Sequence, residues 1–179
     1  MRFRDIPPFG AVLIEPEPSA DERGLFARLF DQDAFRAHGL PVEFVQTSTS
    51  FNERRGTLRG LHYQAAPHAE AKLVRCTAGA IFDVIVDVRD GSPSFGRWQS
   101  FELSGANRFT LFIPPGFAHG FETLSEGAEI FYQMTRAHVP EAERGVVWND
   151  PDLAIAWPLA PAVISPRDSA LPKLRRGAD

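Results

Sequence analysis

The chain has 179 residues, of which 44% are hydrophobic and 23% are charged, and its formal net charge is −4. This length suffices for one domain with a hydrophobic core, and the composition is typical of a globular protein. The weak acidic balance gives no reason to expect binding to nucleic acid or to a membrane. We therefore predict a single domain over residues 1–179 with neither of these partners.

The chain contains one cysteine, Cys76, so an intrachain disulfide is excluded and a cysteine-based zinc site is disfavoured. Its apolar surroundings favour a small core residue over a nucleophile. The first ten residues lack the apolar stretch of a signal peptide, and no run approaches the roughly 20 apolar residues of a membrane helix. We expect the protein in the reducing cytoplasm.

Fifteen prolines and fourteen glycines divide the chain into short segments. Apolar alternation and turn residues predict, in chain order, the strand Gly10–Pro16, the helix Asp31–Gly39 and the strands Glu43–Gln46, Lys72–Ala78, Ala80–Val88, Gln99–Leu103, Arg108–Ile113 and Ala128–Thr135. Turns about ten residues apart are typical of a β-sandwich or barrel. The proline-rich tail from Trp157 onward is expected to wrap the surface.

Two of the five histidines, His62 and His119, lie in the glycine-containing segments RGLHYQ and IPPGFAHGF. The second segment fits the P-x-G-x-x-H motif of a metal-binding cupin barrel. The first segment supplies a single histidine where such a cupin has H-x-H. Zinc and iron usually have three or more protein ligands, so we predict a barrel without a metal, and a metal-dependent cupin remains the weaker alternative.

A histidine without a metal can act as a general base if a carboxylate, an acid and cations surround it. Lys72 begins an apolar strand and could stabilise an enolate or a phosphate, and Tyr132 could donate a proton. Arg59 precedes His62 by three residues, which places the two side chains on opposite faces of a regular strand. A bulge or turn at Gly60 could bring them together. Asp83 and Asp87, which alternate with apolar residues on one strand, are expected to point to the same interior.

A series of motifs runs along nearly the whole chain: DERGLF (Asp21–Phe26), FVQ (Phe44–Gln46), GTLRGLHYQ (Gly56–Gln64), KLVRC (Lys72–Cys76), FDVIVDVR (Phe82–Arg89), IPPGFAHGF (Ile113–Phe121), YQMT (Tyr132–Thr135), Pro140–Pro158 and ISPRD (Ile164–Asp168). In order and spacing the series resembles the dTDP-4-dehydrorhamnose 3,5-epimerase family. The resemblance implies an all-β, cupin-like jelly-roll barrel (a double-stranded β-helix) with one or two short helices. It also implies a homodimer that needs no cofactor.

The resemblance implies a thymidine diphosphate sugar as substrate, converted from dTDP-4-dehydro-6-deoxy-D-glucose to dTDP-4-dehydro-L-rhamnose. The 4-ketone acidifies the hydrogens at C3 and C5. A base removes one of them to leave an enolate, and an acid returns a proton to the opposite face. The family pattern assigns His62 as the base, Asp168 as the carboxylate that orients it, Tyr132 as the acid and Lys72 as the cation that stabilises the enolate.

The same resemblance implies that Arg23 and Arg59 hold the diphosphate, for which a planar bidentate cation is well suited. The rest of the substrate-binding shell implied by the motifs comprises Phe26, Gln46, Ser48, His119, His138, Glu143 and Arg167. In this family the N-terminal segment reaches the site of the partner subunit.

Four positions differ from the family pattern: Arg28 replaces a glutamate, Ser48 an asparagine, His138 an aromatic residue, often tyrosine, and Arg167 a lysine. These changes lie near the expected nucleotide and sugar. The alternatives left open are a mono-epimerase, a ketoisomerase acting on a related 4-keto sugar nucleotide, and a non-catalytic sugar-nucleotide-binding cupin.

Overall fold

The computed structural model describes residues 1–177, which form short strands joined by turns. The strands are β1 (Arg2–Ile6), β2 (Ala11–Glu15), β3 (Ser19–Asp21), β4 (Gly24–Phe26), β5 (Gln46–Asn52), β6 (Thr57–Gln64), β7 (Lys72–Ala78), β8 (Ala80–Asp87), β9 (Trp98–Ser104), β10 (Thr110–Ile113), β11 (Phe117–Thr123), β12 (Ala128–Met134), β13 (Glu143–Gly145) and β14 (Val163–Ile164). The helices are α1 (Gln32–Ala37) and α2 (Pro166–Ser169), with one 3₁₀ turn at Pro140–Ala142.

Two antiparallel sheets form the barrel. The first has the order β1-β2-β10-β7-β12-β5, and the second has the order β13-β6-β11-β8-β9, with β14 added in parallel to β6. Their inner faces share one apolar core, to which Leu13, Val74 and Ile130 contribute from the first sheet and Ile85 and Leu103 from the second. This arrangement is the predicted jelly-roll barrel.

The predicted helix is confirmed, slightly shortened. Asp31 caps α1 by accepting a hydrogen bond from the Ala34 N–H at 3.1 Å. Gly39 follows the helix with a φ of +73°, the left-handed conformation that ends many helices. Phe35 on the inner side of α1 is fully buried against the outer face of the first sheet.

Most predicted strands agree with the structure to within two residues, and Lys72–Ala78 agrees at both ends. The prediction of Glu43–Gln46 is wrong, because the strand at this point is β5, which begins at Gln46. The segment Gln46–Asn52 is rich in serine and threonine and lies at a sheet edge, mostly exposed, so its sequence has no apolar alternation.

The sequence predicts only that the tail from Trp157 onward wraps the surface, whereas in the structure the tail also reaches the barrel. Its first residue, Trp157, packs on the outer face of the second sheet beside Phe82, and its Nε1 donates to the carbonyl of Trp148 at 2.8 Å. The chain then returns to the barrel mouth, where β14 pairs with β6 and α2 follows. The tail therefore contributes to the cavity described below.

The hairpin formed by β3 and β4 pairs only with itself in the described chain and is exposed along its whole length. It carries two large apolar side chains, Leu25 and Phe26, which are 45% and 75% exposed. No helix within residues 1–177 has the length and hydropathy to cross a membrane.

Candidate active site

A cavity of about 600 Å³ opens between the two sheets, and a smaller one of about 190 Å³ adjoins it. His62, Lys72 and Tyr132 line both. The three side chains therefore stand at the junction of the two cavities, where a bound molecule could reach into each.

The two sheets supply different chemistry to the junction. His62 on β6 and His119 on β11 project from the second sheet, whereas Lys72 on β7 and Tyr132 on β12 project from the first. Because the sheets face each other, the imidazole of His62 and the phenol of Tyr132 stand on opposite walls of the cavity. A planar group bound between them would have a base on one face and an acid on the other.

His62 is oriented by Asp168. Its Nε2 lies 2.8 Å from Asp168 Oδ1, and the second carboxylate oxygen accepts the Gly60 N–H at 3.1 Å. The Asp168 side chain is only 7% exposed, and Ser165 fixes its backbone by capping α2. With the Nε2 proton held by a carboxylate, the lone pair of the imidazole resides on Nδ1, which makes His62 a competent general base.

The predicted irregularity at Gly60 is confirmed. Where β11 pairs with β6, His119 lies opposite His62 but Phe121 lies opposite Arg59, so β6 contains one extra residue between the two pairs. The extra residue shifts the alternation of side chains along β6. Arg59 and His62 consequently line the same cavity despite their odd spacing.

Tyr132 has the electrostatic environment of a proton donor. Burial raises the pKa of its phenol well above the ordinary value, the carboxylate of Asp83 raises it further, and Arg59 opposes the shift. Like an ordinary tyrosine, the phenol is protonated at physiological pH, and it could give its proton to a carbanion.

Lys72 forms an ion pair with Glu70, a residue not singled out by the sequence. The second oxygen of Glu70 accepts a hydrogen bond from Gln64 Nε2 at 2.9 Å. Gln64 is itself fixed, since its Oε1 accepts the Val139 N–H at 2.6 Å. The ammonium of Lys72 thus lies at the end of a buried, fully bonded chain.

His119 forms a second histidine–carboxylate pair, in which Nε2 lies 2.7 Å from Oδ2 of the fully buried Asp83. The imidazole meets the ring of Tyr132 edge-on, at 6.2 Å between centroids. Asp83 points into the interior as predicted. Among residues 1–177, no three His, Cys, Asp or Glu side chains are grouped as metal ligands would be.

The larger cavity also has a cationic side. Arg59 Nε donates to Asn52 Oδ1 at 2.8 Å, and Asn52 is anchored to the carbonyl of Ala128 at 3.2 Å. Because this bond engages Nε, the two terminal nitrogens can bind a phosphate side by side. Ser48 on β5 and Arg167 on α2 line the same cavity.

The smaller cavity contains the remaining predicted polar residues of this chain. Gln46, His138 and Glu143 line it. Gln46 Oε1 accepts the His138 N–H at 2.6 Å, His138 Nε2 lies 3.9 Å from Glu143, and Glu143 also forms an ion pair with Arg167. This pair links the walls of the two cavities.

Arg23 and Phe26 are the two predicted site residues that the fold does not bring to the cavity of their own chain. They lie on the β3–β4 hairpin and line neither cavity in the described chain. Arg23 binds Asp21 in an ion pair whose side chains are 85% and 51% exposed. Arg28, where the family has a glutamate, pairs with Asp31 at the start of α1, 3.0 Å apart.

Sequence reasoning missed Glu70 and Asn52, which hold two of the predicted site residues. The spacing of Glu70 and Lys72 could have indicated an ion pair on one face of a strand. Asn52 gave no such signal, because its contact with Arg59 forms across two strands joined by a turn.

The comparisons with known proteins agree with this geometry. The model of the family described as dTDP-4-dehydrorhamnose 3,5-epimerase matches residues 6–176. This chain belongs to that family. A dTDP-4-dehydrorhamnose 3,5-epimerase from Pseudomonas aeruginosa is 51% identical over 159 residues, covering 88% of this chain and 87% of the relative. One from Sinorhizobium fredii is 45% identical, covering 97% and 90%.

Solved structures of epimerases have the same fold. The Bacillus anthracis dTDP-4-dehydrorhamnose 3,5-epimerase with TDP and pyrophosphate bound superposes with a TM-score of 0.92 at 39% identity, covering 97% of this chain and 100% of its own. A Legionella pneumophila epimerase in complex with dTDP-4-keto-L-rhamnose gives 0.90 at 42% identity, covering 97% and 92%.

A third neighbour is a 3′-monoepimerase from Streptomyces bikiniensis in complex with dTDP, with a TM-score of 0.89 at 34% identity, covering 96% of this chain and 87% of its own. That structure is a double mutant in which a histidine and a tyrosine seventy residues apart are replaced by asparagine and phenylalanine. Seventy residues also separate His62 from Tyr132. The structures similar to this chain thus include a protein described as a 3′-monoepimerase as well as proteins described as 3,5-epimerases.

Proposed function

We propose that this chain is an epimerase that inverts C3, C5 or both in a dTDP-4-keto-6-deoxyhexose, by removing and returning a proton through an enolate. The observation that carries the proposal is the placement of a histidine–carboxylate pair and a half-buried tyrosine on opposite walls of one cavity. Inversion at carbon requires such an arrangement, because the proton leaves from one face and returns to the other.

The order of the proposed proton transfers follows from the chemistry of the residues on the two walls of the cavity. His62 Nδ1 takes the proton from the carbon next to the ketone, and Asp168 stabilises the imidazolium that results. The bonding electrons move to the ketone oxygen, where the Lys72 ammonium stabilises the enolate. The phenol of Tyr132 then delivers a proton to the opposite face of the same carbon.

Substrate binding is proposed to divide between the two cavities. Arg59 and Arg167 supply positive charge in the larger cavity, and Gln46, His138 and Glu143 supply hydrogen-bonding groups in the smaller one. The volumes of about 600 and 190 Å³ allow an extended molecule to span the junction at which the catalytic groups meet.

A second candidate is inversion at one centre only. The similarity to a 3′-monoepimerase favours it, together with Ser48 and His138 at positions where the family pattern has other residues. The same base and acid would serve, and the shape of the cavity around Tyr132 would decide which carbon reaches them.

We further propose a homodimer in which the β3–β4 hairpin of each subunit reaches the cavity of its partner. The exposure of Phe26 and Arg23 on a hairpin that pairs only with itself in the described chain supports this arrangement. We propose a cytoplasmic location, which fits a chain whose single cysteine is free and buried.

The deciding experiment is incubation with dTDP-4-keto-6-deoxyglucose in deuterium oxide, followed by proton NMR, for the wild type and His62→Ala. We expect the wild type to lose the C3 and C5 proton signals, and the variant to leave both intact. Loss of one signal alone would identify a mono-epimerase.

A wild type that exchanges neither proton would contradict the proposal for this substrate, and binding of the sugar nucleotide without exchange would then favour a non-catalytic cupin. A product with its carbonyl moved from C4 to C3 would identify a ketoisomerase. Both outcomes are visible in the same spectra.

A further inference from the structure

Glu70 is a buried carboxylate with no role in the mechanism derived above. Its side chain is 6% exposed, and both oxygens are engaged, one by the Lys72 ammonium and the other by Gln64 Nε2. Burying a charged carboxylate is costly even when two partners bind it, so its position beside Lys72 suggests a functional role.

We propose that Glu70 is a positioning residue for the epimerisation: its carboxylate holds the Lys72 ammonium at the junction of the two cavities, charged and directed at the oxygen of the 4-ketone. The inference rests on the proposed function, since it presupposes an enolate for Lys72 to stabilise.

The need for such a residue follows from the nature of lysine. The side chain has a flexible four-carbon stem and a strongly hydrated charge, so it turns towards water unless something holds it. The Lys72 side chain is only 15% exposed, and Glu70 is its one ion-pair partner among residues 1–177. The Glu70 carboxylate supplies both the countercharge and the direction.

The Glu70 carboxylate is held in turn by the strand of the catalytic base. Gln64 lies two residues after His62 on β6. Its amide nitrogen donates to Glu70 and, at 3.3 Å, to the carbonyl of Ala137. Its amide oxygen accepts the Val139 N–H at 2.6 Å. The distance between the base on one sheet and the cation on the other is thereby set by one chain of side chains.

The test is Glu70→Gln, which keeps the shape and the bond to Gln64 but removes the charge. We expect kcat to fall roughly tenfold or more with KM little changed, because the lost interaction acts on the enolate and not on the bound ketone. The matched control is Glu126→Gln, an exposed carboxylate on the turn before β12, which is expected to leave both constants unchanged.

A double-mutant comparison separates positioning from a structural role. If Glu70 acts through Lys72, adding Glu70→Gln to Lys72→Met slows deuterium exchange no further. A purely structural Glu70 would instead lower the melting temperature while leaving kcat of the folded protein intact, and that result would overturn the inference.

Gln64→Leu provides a second variant in case Glu70→Gln does not fold. It keeps the carboxylate and removes its anchor, and it is expected to lower kcat by a smaller factor. An unchanged kcat in both folded variants would contradict the inference. Failure of the proposed function is distinguishable, because the wild type would then exchange no proton at all.

Discussion

Each of the three side chains at the cavity junction has a charged neighbour within the protein. Asp168 contacts His62, Glu70 pairs with Lys72, and burial together with the charge of Asp83 raises the pKa of Tyr132. If the proposed roles are right, a substitution of either member of a pair should change the rate.

The role of Tyr132 can be tested by Tyr132→Phe, which removes one hydroxyl. We expect epimerisation to slow by roughly 10²- to 10⁴-fold, the usual contribution of a positioned acid. Exchange of the substrate proton for deuterium should be slowed less than inversion, because removal of the proton needs only His62. NMR of the sugar protons measures both rates, and equal losses of exchange and inversion would contradict a role confined to reprotonation.

The raised pKa of Tyr132 makes a separate optical prediction at the same residue. The chain has two tyrosines, and an ordinary tyrosine ionises near pH 10. Tyr132 stays protonated at that pH, so Tyr132→Phe should leave the tyrosinate absorbance near pH 10 as it is in the wild type. A variant with less tyrosinate absorbance than the wild type at that pH would contradict the raised pKa of Tyr132.

Sequence motifs located the four proposed catalytic residues because each lies within a distinctive segment, and the fold brings all four to one cavity. Their roles remain predictions. Glu70 and Asn52 escaped notice for a physical reason: a residue that acts by holding another has no chemistry of its own to recognise, and its partner is defined only after the strands pair.

At the scale of elements, the contact between β6 and β11 governs the geometry of the site. Two glycines face each other at the bulge, and a Cβ added at Gly60 would lie 2.6 Å from the Gly120 Cα and 2.7 Å from the His119 carbonyl oxygen. Gly60 also has a φ of +111° and donates its N–H to Asp168. The close approach of the two strands, the bulge and the contact with the Asp168 carboxylate therefore all involve Gly60.

Gly60→Ala is accordingly expected to lower the free energy of unfolding by about 2–4 kcal/mol, the sum of a disfavoured backbone conformation and an overpacked contact. Gly91→Ala is the control, because Gly91 has a similar positive φ of +77° but no atom within 4 Å of the added Cβ. It should cost about 1 kcal/mol. Urea unfolding measures both, and equal losses would show that the close approach is unimportant.

The sequence predicts the position of some elements more accurately than that of others. β7 was predicted at both ends because its inner side chains, such as Val74 and Cys76, alternate with residues of the outer face. β5 was misplaced because an exposed edge strand of serine and threonine buries little, so its position depends on pairing with β12. The bulge could be anticipated from the odd spacing of Arg59 and His62, but its form depends on β11.

At the scale of the whole molecule, one chain supplies a cavity lined by His62, Tyr132 and Lys72, and presents elsewhere an exposed hairpin with Arg23 and Phe26. The edge strand β5 adds another exposed aromatic side chain, Phe51, which is 58% exposed. These features fit an assembly in which each subunit completes the site of the other.

Subunit complementation tests this arrangement. Arg23→Ala and His62→Ala are each expected to be nearly inactive, but a co-expressed mixture should recover about a quarter of wild-type activity, because half of the dimers are hybrids with one intact site. The control pair, His62→Ala with Asp168→Ala, should recover nothing, since both residues belong to the cavity of one chain.

Recovery by neither pair, with Arg23→Ala inactive alone, would mean that Arg23 serves its own chain. Light scattering of the purified protein gives the subunit number independently, and a monomer would rule out the exchange of hairpins.

The His62–Asp168 pair joins residues 106 positions apart along the chain. Synthesis from the N-terminus adds His62, Lys72 and Tyr132 to the chain before Asp168. Every nascent chain shorter than 168 residues consequently has an undirected imidazole, even if its barrel has already closed. The contact that orients the His62 imidazole is therefore among the last that a growing chain can form.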